Sequence, residues 1–283
     1  MMRRNSRAEE AAVTKRVLVA GATGGVGQLT VAKLLEQGYS VRALTRNADK
    51  ARQMFNDQIE IAIGDTRDPQ TLPSALQDIT HLICCTGTTA FPSAKWGFNF
   101  DSSNGVQRLV EWGKILSNAT YRQAKATNSP QQVDAEGVRH LVAAAPKTLQ
   151  RFVFVSSCGV EHKDKLPYNL LNAFGVLDAK QQGEVAIKQS GLPYTIIRPG
   201  RLIDGPFTSS DLNTLLKAST QGKLGVVIGT GDTLTGQTSR IDVAAACVEC
   251  LRYPTTENKT FELINRGARS AVIDWGTLFA QLA

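Results

Sequence analysis

The clearest chemistry in the chain lies in Gly21-Ala22-Thr23-Gly24-Gly25-Val26-Gly27. This stretch follows a short apolar run, Arg16-Val-Leu-Val-Ala20, and opens a segment with helical spacing at Val26, Leu29, Leu34 and Leu35 that ends at Gly38. Glycines at such a strand-to-helix turn do separate jobs. Gly21 allows the tight turn, Gly24 lets backbone approach a pyrophosphate, and Gly27 lets the helix pack closely on the strand. The first helical turn then offers unpaired N–H groups and the positive end of its dipole to an anion. A dinucleotide fits such a turn. Which dinucleotide depends on the end of the next strand, where an acid about twenty residues past the glycines would accept the ribose hydroxyls of NAD. The chain has Thr45-Arg46 there. A guanidinium pairs with a 2′-phosphate, so NADP(H) is the expected cofactor, with Lys50 adding charge.

The cysteines carry less. Cys247 and Cys250 form a C-x-x-C, but inside the apolar, helix-like run Val243 to Leu251 and without a second ligand pair. Buried structural thiols are expected there, and no metal site. Cys84 and Cys85 alternate faces at a strand end, which suggests packing. Five cysteines with no secretion signal point to a reducing compartment, the cytoplasm or an organellar stroma or matrix.

The elements that must hold these residues alternate. After Tyr39 to Thr45 come a helix near Ala48 to Phe55, a strand at Ile59 to Ile63, a helix after Pro69 and a strand at His81 to Cys85. The rhythm resumes with a helix at Val133 to Ala145, a strand at Arg151 to Val155, a helix near Ala173 to Gln189 and a strand at Tyr194 to Arg198. This predicts an α/β fold with a doubly wound parallel Rossmann sheet. Residues 1–14 read as a flexible tail and 15–283 as one domain. Within it, residues 200–283 form a small substrate lobe over the sheet edge, with short strands at Gly225 to Ile228 and Thr260 to Ile264.

Between Thr86 and Ser129 the alternation lapses, and a gap of that length usually contains something. Val106, Leu109, Val110, Trp112, Ile115 and Leu116 fall at helical spacing, predicting an amphipathic helix from about Gly105 to Ala124 within an insertion at 92–130. It reads either as a lid packed on its own protein or as a docking surface for a protein partner or a membrane face.

The 283 residues are 42% hydrophobic and 20% charged, which excludes wholesale disorder, and no run approaches the roughly 18 apolar residues of a membrane span. The net charge of +7 is local. Residues 1–16 hold five basic side chains against Glu9 and Glu10, and residues 92–130 hold five against Asp101 and Glu111. No basic stripe interleaved with aromatics runs through the body, so no nucleic-acid partner is expected.

The spacing Gly21-x-x-Gly24-x-x-Gly27 resembles the short-chain dehydrogenase/reductase superfamily, and the likeness spreads along the chain. Ile63-Gly-Asp65, with Thr66 beside it, looks like the family's adenine-contacting segment. Cys85-Thr86-Gly87 follows the fourth strand, Val153-Phe-Val-Ser-Ser157 is similar to the fifth, and Tyr194-Thr-Ile-Ile-Arg-Pro199-Gly200 resembles the segment beside the nicotinamide. Together they point to the atypical branch with NmrA-like and flavin or biliverdin reductase-like proteins. The resemblance implies Ser157 and Lys180 as catalytic residues, Lys180 also holding the nicotinamide ribose. It places Val176 where active members carry a tyrosine acid. Tyr168 or His162 could substitute, or the acceptor could be a planar conjugated molecule of flavin, quinone or bilin type that needs no enzymic proton donor. The remaining alternative is a non-catalytic nucleotide-binding scaffold, sensor or assembly factor.

Overall fold

A computed structural model describes residues 15–203 and 223–282; the expected tail and part of the C-terminal lobe lie outside these residues. The strands are β1 (Arg16–Ala20), β2 (Ser40–Thr45), β3 (Glu60–Ile63), β4 (His81–Cys84), β5 (Arg151–Val155), β6 (Tyr194–Pro199), β7 (Arg201–Leu202), β8 (Leu224–Gly229), β9 (Gln237–Thr238) and β10 (Lys259–Ala268). Eight form one sheet in the order β3-β2-β1-β4-β5-β6-β10-β8, and β7 pairs with β9. Every ladder in the large sheet is parallel except the edge pair of β10 with β8. The strands assigned to a lobe over the sheet edge thus supply that edge.

Parallel strands buried on both faces need continuous apolar runs, and β1, β4 and β5 have them. The crossovers are α1 (Gly25–Glu36), α2 (Ala48–Phe55) and α3 (Leu72–Ala75), then α4 (Gly105–Ser117) and α5 (Ala119–Lys125) in the insertion, and α6 (Gly137–Ala144), α7 (Tyr168–Leu171) and α8 (Val176–Gln189). One core joins α1 and the helix Arg240–Glu249 to one face of the sheet, and a second packs α3, α6 and α8 on the other. Helix α1 stops where Gly38 takes φ 76°, with Tyr39 N–H donating to the Leu34 carbonyl and Gly38 N–H to Leu35, so the chain turns straight into β2.

The insertion contains two helices where the sequence suggested one. Asn118 breaks the run, its side chain accepting from Tyr121 N–H to start α5. An isolated Phe98–Ala126 bridge closes its base, and Phe98, Phe100 and Trp112 pack together inside.

His81 is 3% exposed in β4. Burial, helped by the nearby cations Lys15 and Arg151, pushes its imidazole down to about 4 from 6.5. A depressed folded value means that the native state resists protonation. Its contribution is therefore complete above about pH 6.5 and is lost as the pH falls toward 4, about 3 kcal/mol in all. Urea unfolding of wild type and His81→Gln across that window should show this excess slope in wild type alone; parallel slopes would remove His81 as its source.

Candidate cofactor and active site

The sheet order reverses between β1 and β4, which opens a crevice at their carboxyl ends. Both candidate loops meet there. Gly21 has φ 78°, and a Cβ at this position would lie 2.9 Å from the Cys85 carbonyl carbon and the Thr86 nitrogen. A Cβ on Gly27 would lie 2.1 Å from the Gly21 carbonyl oxygen, so helix and turn are as close as glycine alone permits. Gly24 caps α1 with extended backbone and no side-chain acceptor, leaving the N–H groups of Gly25, Val26 and Gly27 facing out of the helix end. This bare end, in a cradle that side chains would fill, fits a dinucleotide pyrophosphate.

At the end of β2, Thr45 is buried and braces Asn47, whose side chain caps α2 by accepting from Lys50 N–H. Arg46 and Lys50 project beyond it, exposed. The Arg46 guanidinium, 58% exposed, lies 3.9 Å from the Asp65 carboxylate. Asp65 is more firmly engaged by Arg67, which the sequence reading passed over. Burial raises the Asp65 carboxyl, but hydrogen bonds and charge from Arg67 outweigh it and hold the acid below its ordinary value. Arg67 also donates to the Thr127 carbonyl at the foot of the insertion. Thr66 is buried, its carbonyl bonded to His140 Nδ1 at 2.8 Å.

Lys180 reaches from α8 under the loop after β4. Its Nζ lies 2.7 Å from Asp134 Oδ1, donates to the Val155 carbonyl at 2.8 Å and to the Thr86 carbonyl at 3.3 Å, and sits 4.9 Å from the Phe154 ring centre. The two carbonyl contacts are hydrogen bonds, and the third is an ion pair that leaves Asp134 Oδ1 without a well-directed hydrogen bond. Asp134 is fully buried on a π-helical turn, Gln131–Glu136, a distortion frequent at functional sites. Burial pushes its carboxyl up, while Lys180 and the Thr88 N–H, which donates at 3.3 Å, pull it down. Gly87 spans the pair, its Cβ position 3.4 Å from Asp134 Oδ1 and 3.5 Å from Lys180 Nζ. Asp134 was read only as part of a helix.

The Ser157 hydroxyl donates to the neighbouring Cys158 carbonyl at 3.0 Å. The adjacent Ser156 serves the interior, donating to buried Glu184 at 2.6 Å. Pro199 ends β6 and Gly200 follows it, where a Cβ would lie 2.4 Å from the Gly236 carbonyl oxygen, a glycine-only approach. Val176 is buried with Val160 and Leu177, and Tyr168 packs against that cluster with its ring across Gly159. Burial raises the Tyr168 phenol. His162 lies on the same loop, its N–H bonded to the Gly159 carbonyl. Cys247 and Cys250 are fully buried, and burial pushes Cys250 up to about 12, as structural thiols require. Among the described residues no cluster of metal-ligating side chains occurs.

A family model described as NAD(P)H-binding matches residues 21–254. Sanguinarine reductase of Eschscholzia californica is 31% identical over 274 residues, covering 94% of this chain and 95% of that protein. The photosystem II assembly factor Ycf39 of Trieres chinensis is 27% identical over 248 residues, 87% of this chain and 63% of that one. Among solved structures, the anaerobilin reductase ChuY from Escherichia coli O157:H7 superposes with a TM-score of 0.62 at 22% identity, covering 90% of this chain and all of that one, which shows the shared fold.

Proposed function

Because the chain belongs to the NAD(P)H-binding family, we propose that it is an NADP(H)-dependent reductase of a planar conjugated acceptor, of flavin, quinone or linear tetrapyrrole type. The observation that carries this reading is a missing acid: Val176, buried with Val160 and Leu177, stands where the resembling enzymes keep their tyrosine, and Lys180 is committed to Asp134, Val155 and Thr86. An acceptor with a delocalised system takes a hydride without an enzymic proton donor and obtains its proton from water. NADPH would supply that hydride.

The residues divide the remaining work. The first-turn amides of α1 hold the pyrophosphate, and Arg46 with Lys50 holds the 2′-phosphate. Asp65 and Thr66 line the adenine edge, and Cys85, Thr86 and Gly87 form the floor. Lys180 steadies that floor; its contact to Thr86, the longest of its three, is the one a ribose hydroxyl would replace. Ser157 orients the acceptor or the carboxamide beside Pro199 and Gly200. Five free cysteines support a reducing compartment, the cytoplasm or an organellar stroma or matrix.

Arg46→Ala tests the cofactor assignment. NADPH affinity by calorimetry should fall about tenfold to a hundredfold, the contribution of charge-assisted hydrogen bonds to a phosphate, while NADH affinity holds. Loss of NADPH absorbance with a flavin, a quinone, a linear tetrapyrrole and sanguinarine tests the reaction. A second reading, a scaffold or assembly factor that transfers no hydride and contacts its surroundings through residues 92–130, is supported by the exposed aliphatic side chains of α4 and by the Trieres relative. Firm NADPH binding with no consumption across the panel would select it.

A further inference from the structure

Two guanidinium groups face one acid at the rim proposed for the adenosine end of the cofactor. Strand β3 runs parallel to β2 with Thr45 opposite Ile63, and Gly64 N–H donates to the Thr45 carbonyl, so Arg46 and Asp65 leave the sheet on neighbouring strands. The register alone thus brings a carboxylate to the cation assigned to the 2′-phosphate. Unopposed, that carboxylate would repel a phosphate and compete with it for the same guanidinium. It would also suit the free ribose hydroxyls of NADH. Arg67 engages it first. Its Nε lies 3.0 Å from each Asp65 oxygen, Nη2 donates to Oδ2, and its backbone N–H donates to Oδ1 at 2.9 Å. Nη1 donates to the Thr127 carbonyl, and Thr127 is itself fixed by its N–H on the Gly97 carbonyl at 2.8 Å. Arg46 is left 3.9 Å from Asp65 and largely exposed.

We propose that Arg67 sets the preference for NADPH over NADH: by engaging Asp65 it neutralises the acid and leaves Arg46 to the 2′-phosphate. This rests on the NADP(H) reading above and deepens it. Arg67 is a positioning residue, acting through Asp65 and Arg46 rather than on the phosphate. Held at both edges, by Asp65 and by Thr127, its guanidinium is fixed in place and keeps the carboxylate turned toward itself. The acid needs such a partner at neutral pH, because its carboxyl stays below the ordinary value in spite of burial and is therefore charged.

The test is calorimetry of the full chain with NADPH and with NADH, because the ratio of the two affinities cancels a general loss of order in the site. In Arg67→Gln the NADPH:NADH ratio should fall about tenfold, between the strength of one charge pair about 4 Å apart in water and at a protein surface. Raising salt to about 0.5 M should shrink the difference from wild type, since screening weakens interactions between exposed charges. Arg67→Lys, which keeps the charge without the fork, should lose less than Arg67→Gln. Adding Asp65→Asn to Arg67→Gln removes the acid, and the ratio should return to within about twofold of wild type even where both nucleotides bind less tightly. An unchanged ratio in Arg67→Gln overturns the proposal. So does a fall that Asp65→Asn fails to reverse, because Arg67 would then act other than through the carboxylate. A wild type that binds NADH as tightly as NADPH overturns the NADP(H) reading together with this one, which separates that failure from a failure at Arg67 alone.

Discussion

Lys180→Met should lower stability by about 3–5 kcal/mol in urea unfolding, and adding Asp134→Leu to the same chain should restore most of it. The single change strands a carboxylate that is fully buried with its partner 2.7 Å away. The double change removes both charges and leaves apolar side chains of similar bulk, which interiors tolerate. Asp134→Asn should act in the same direction as Lys180→Met. The loop adds a second readout, because Lys180 holds the Thr86 carbonyl and Asp134 the Thr88 N–H. All three variants should therefore weaken NADPH binding by about tenfold, the scale of one or two lost hydrogen bonds. A single variant costing under about 1 kcal/mol, or a double worse than either single, would mean that the two groups are not energetically coupled.

The glycine turn offers a paired experiment with a larger effect on the ligand. In Gly27→Ala the new methyl would lie 2.1 Å from the Gly21 carbonyl oxygen and 2.7 Å from its carbon, both backbone atoms. Helix α1 must then move off the turn, and calorimetry should find NADPH affinity reduced beyond about a hundredfold, with several kcal/mol of stability lost. Gly24→Ala differs. Its φ of −86° suits any residue, the nearest atom to the new methyl is 3.1 Å away, and the position is exposed. The fold should hold to within about 1 kcal/mol, while the methyl stands where phosphate must approach and weakens NADPH about tenfold or more. Undiminished binding by Gly24→Ala would place the phosphates elsewhere.

Where a feature of this site depends on neighbours in sequence, it could be read from the chain. Strands β1 to β6 announce themselves as apolar runs, and the glycine turn sits between one such run and a helix, so the fold and the turn proposed for the phosphates were both legible. Asp134 was not. Its partner Lys180 and the Thr88 N–H it accepts are each 46 residues away, on either side. A lone aspartate in a helical stretch carries no signal of such a pairing. Arg67 carried no signal either, because nothing in its neighbours shows that its guanidinium folds back on Asp65. The insertion is subtler: periodicity found the aliphatic side of α4, but not which way it faces. Buried Glu111, accepting from Asp101 and Tyr121, and the aromatic packing of Trp112 decide that orientation, and a hydrophobic pattern weighs neither.

The Arg67 guanidinium, gripping Asp65 with one edge and the Thr127 carbonyl with another, bears on how residues 92–130 can be probed. Excising that segment whole would cut a mooring line to Asp65, the side chain proposed for the adenine edge, so a truncated chain could lose its nucleotide for reasons unrelated to whatever the excursion touches outside. Point changes on the outward helix leave the mooring tied.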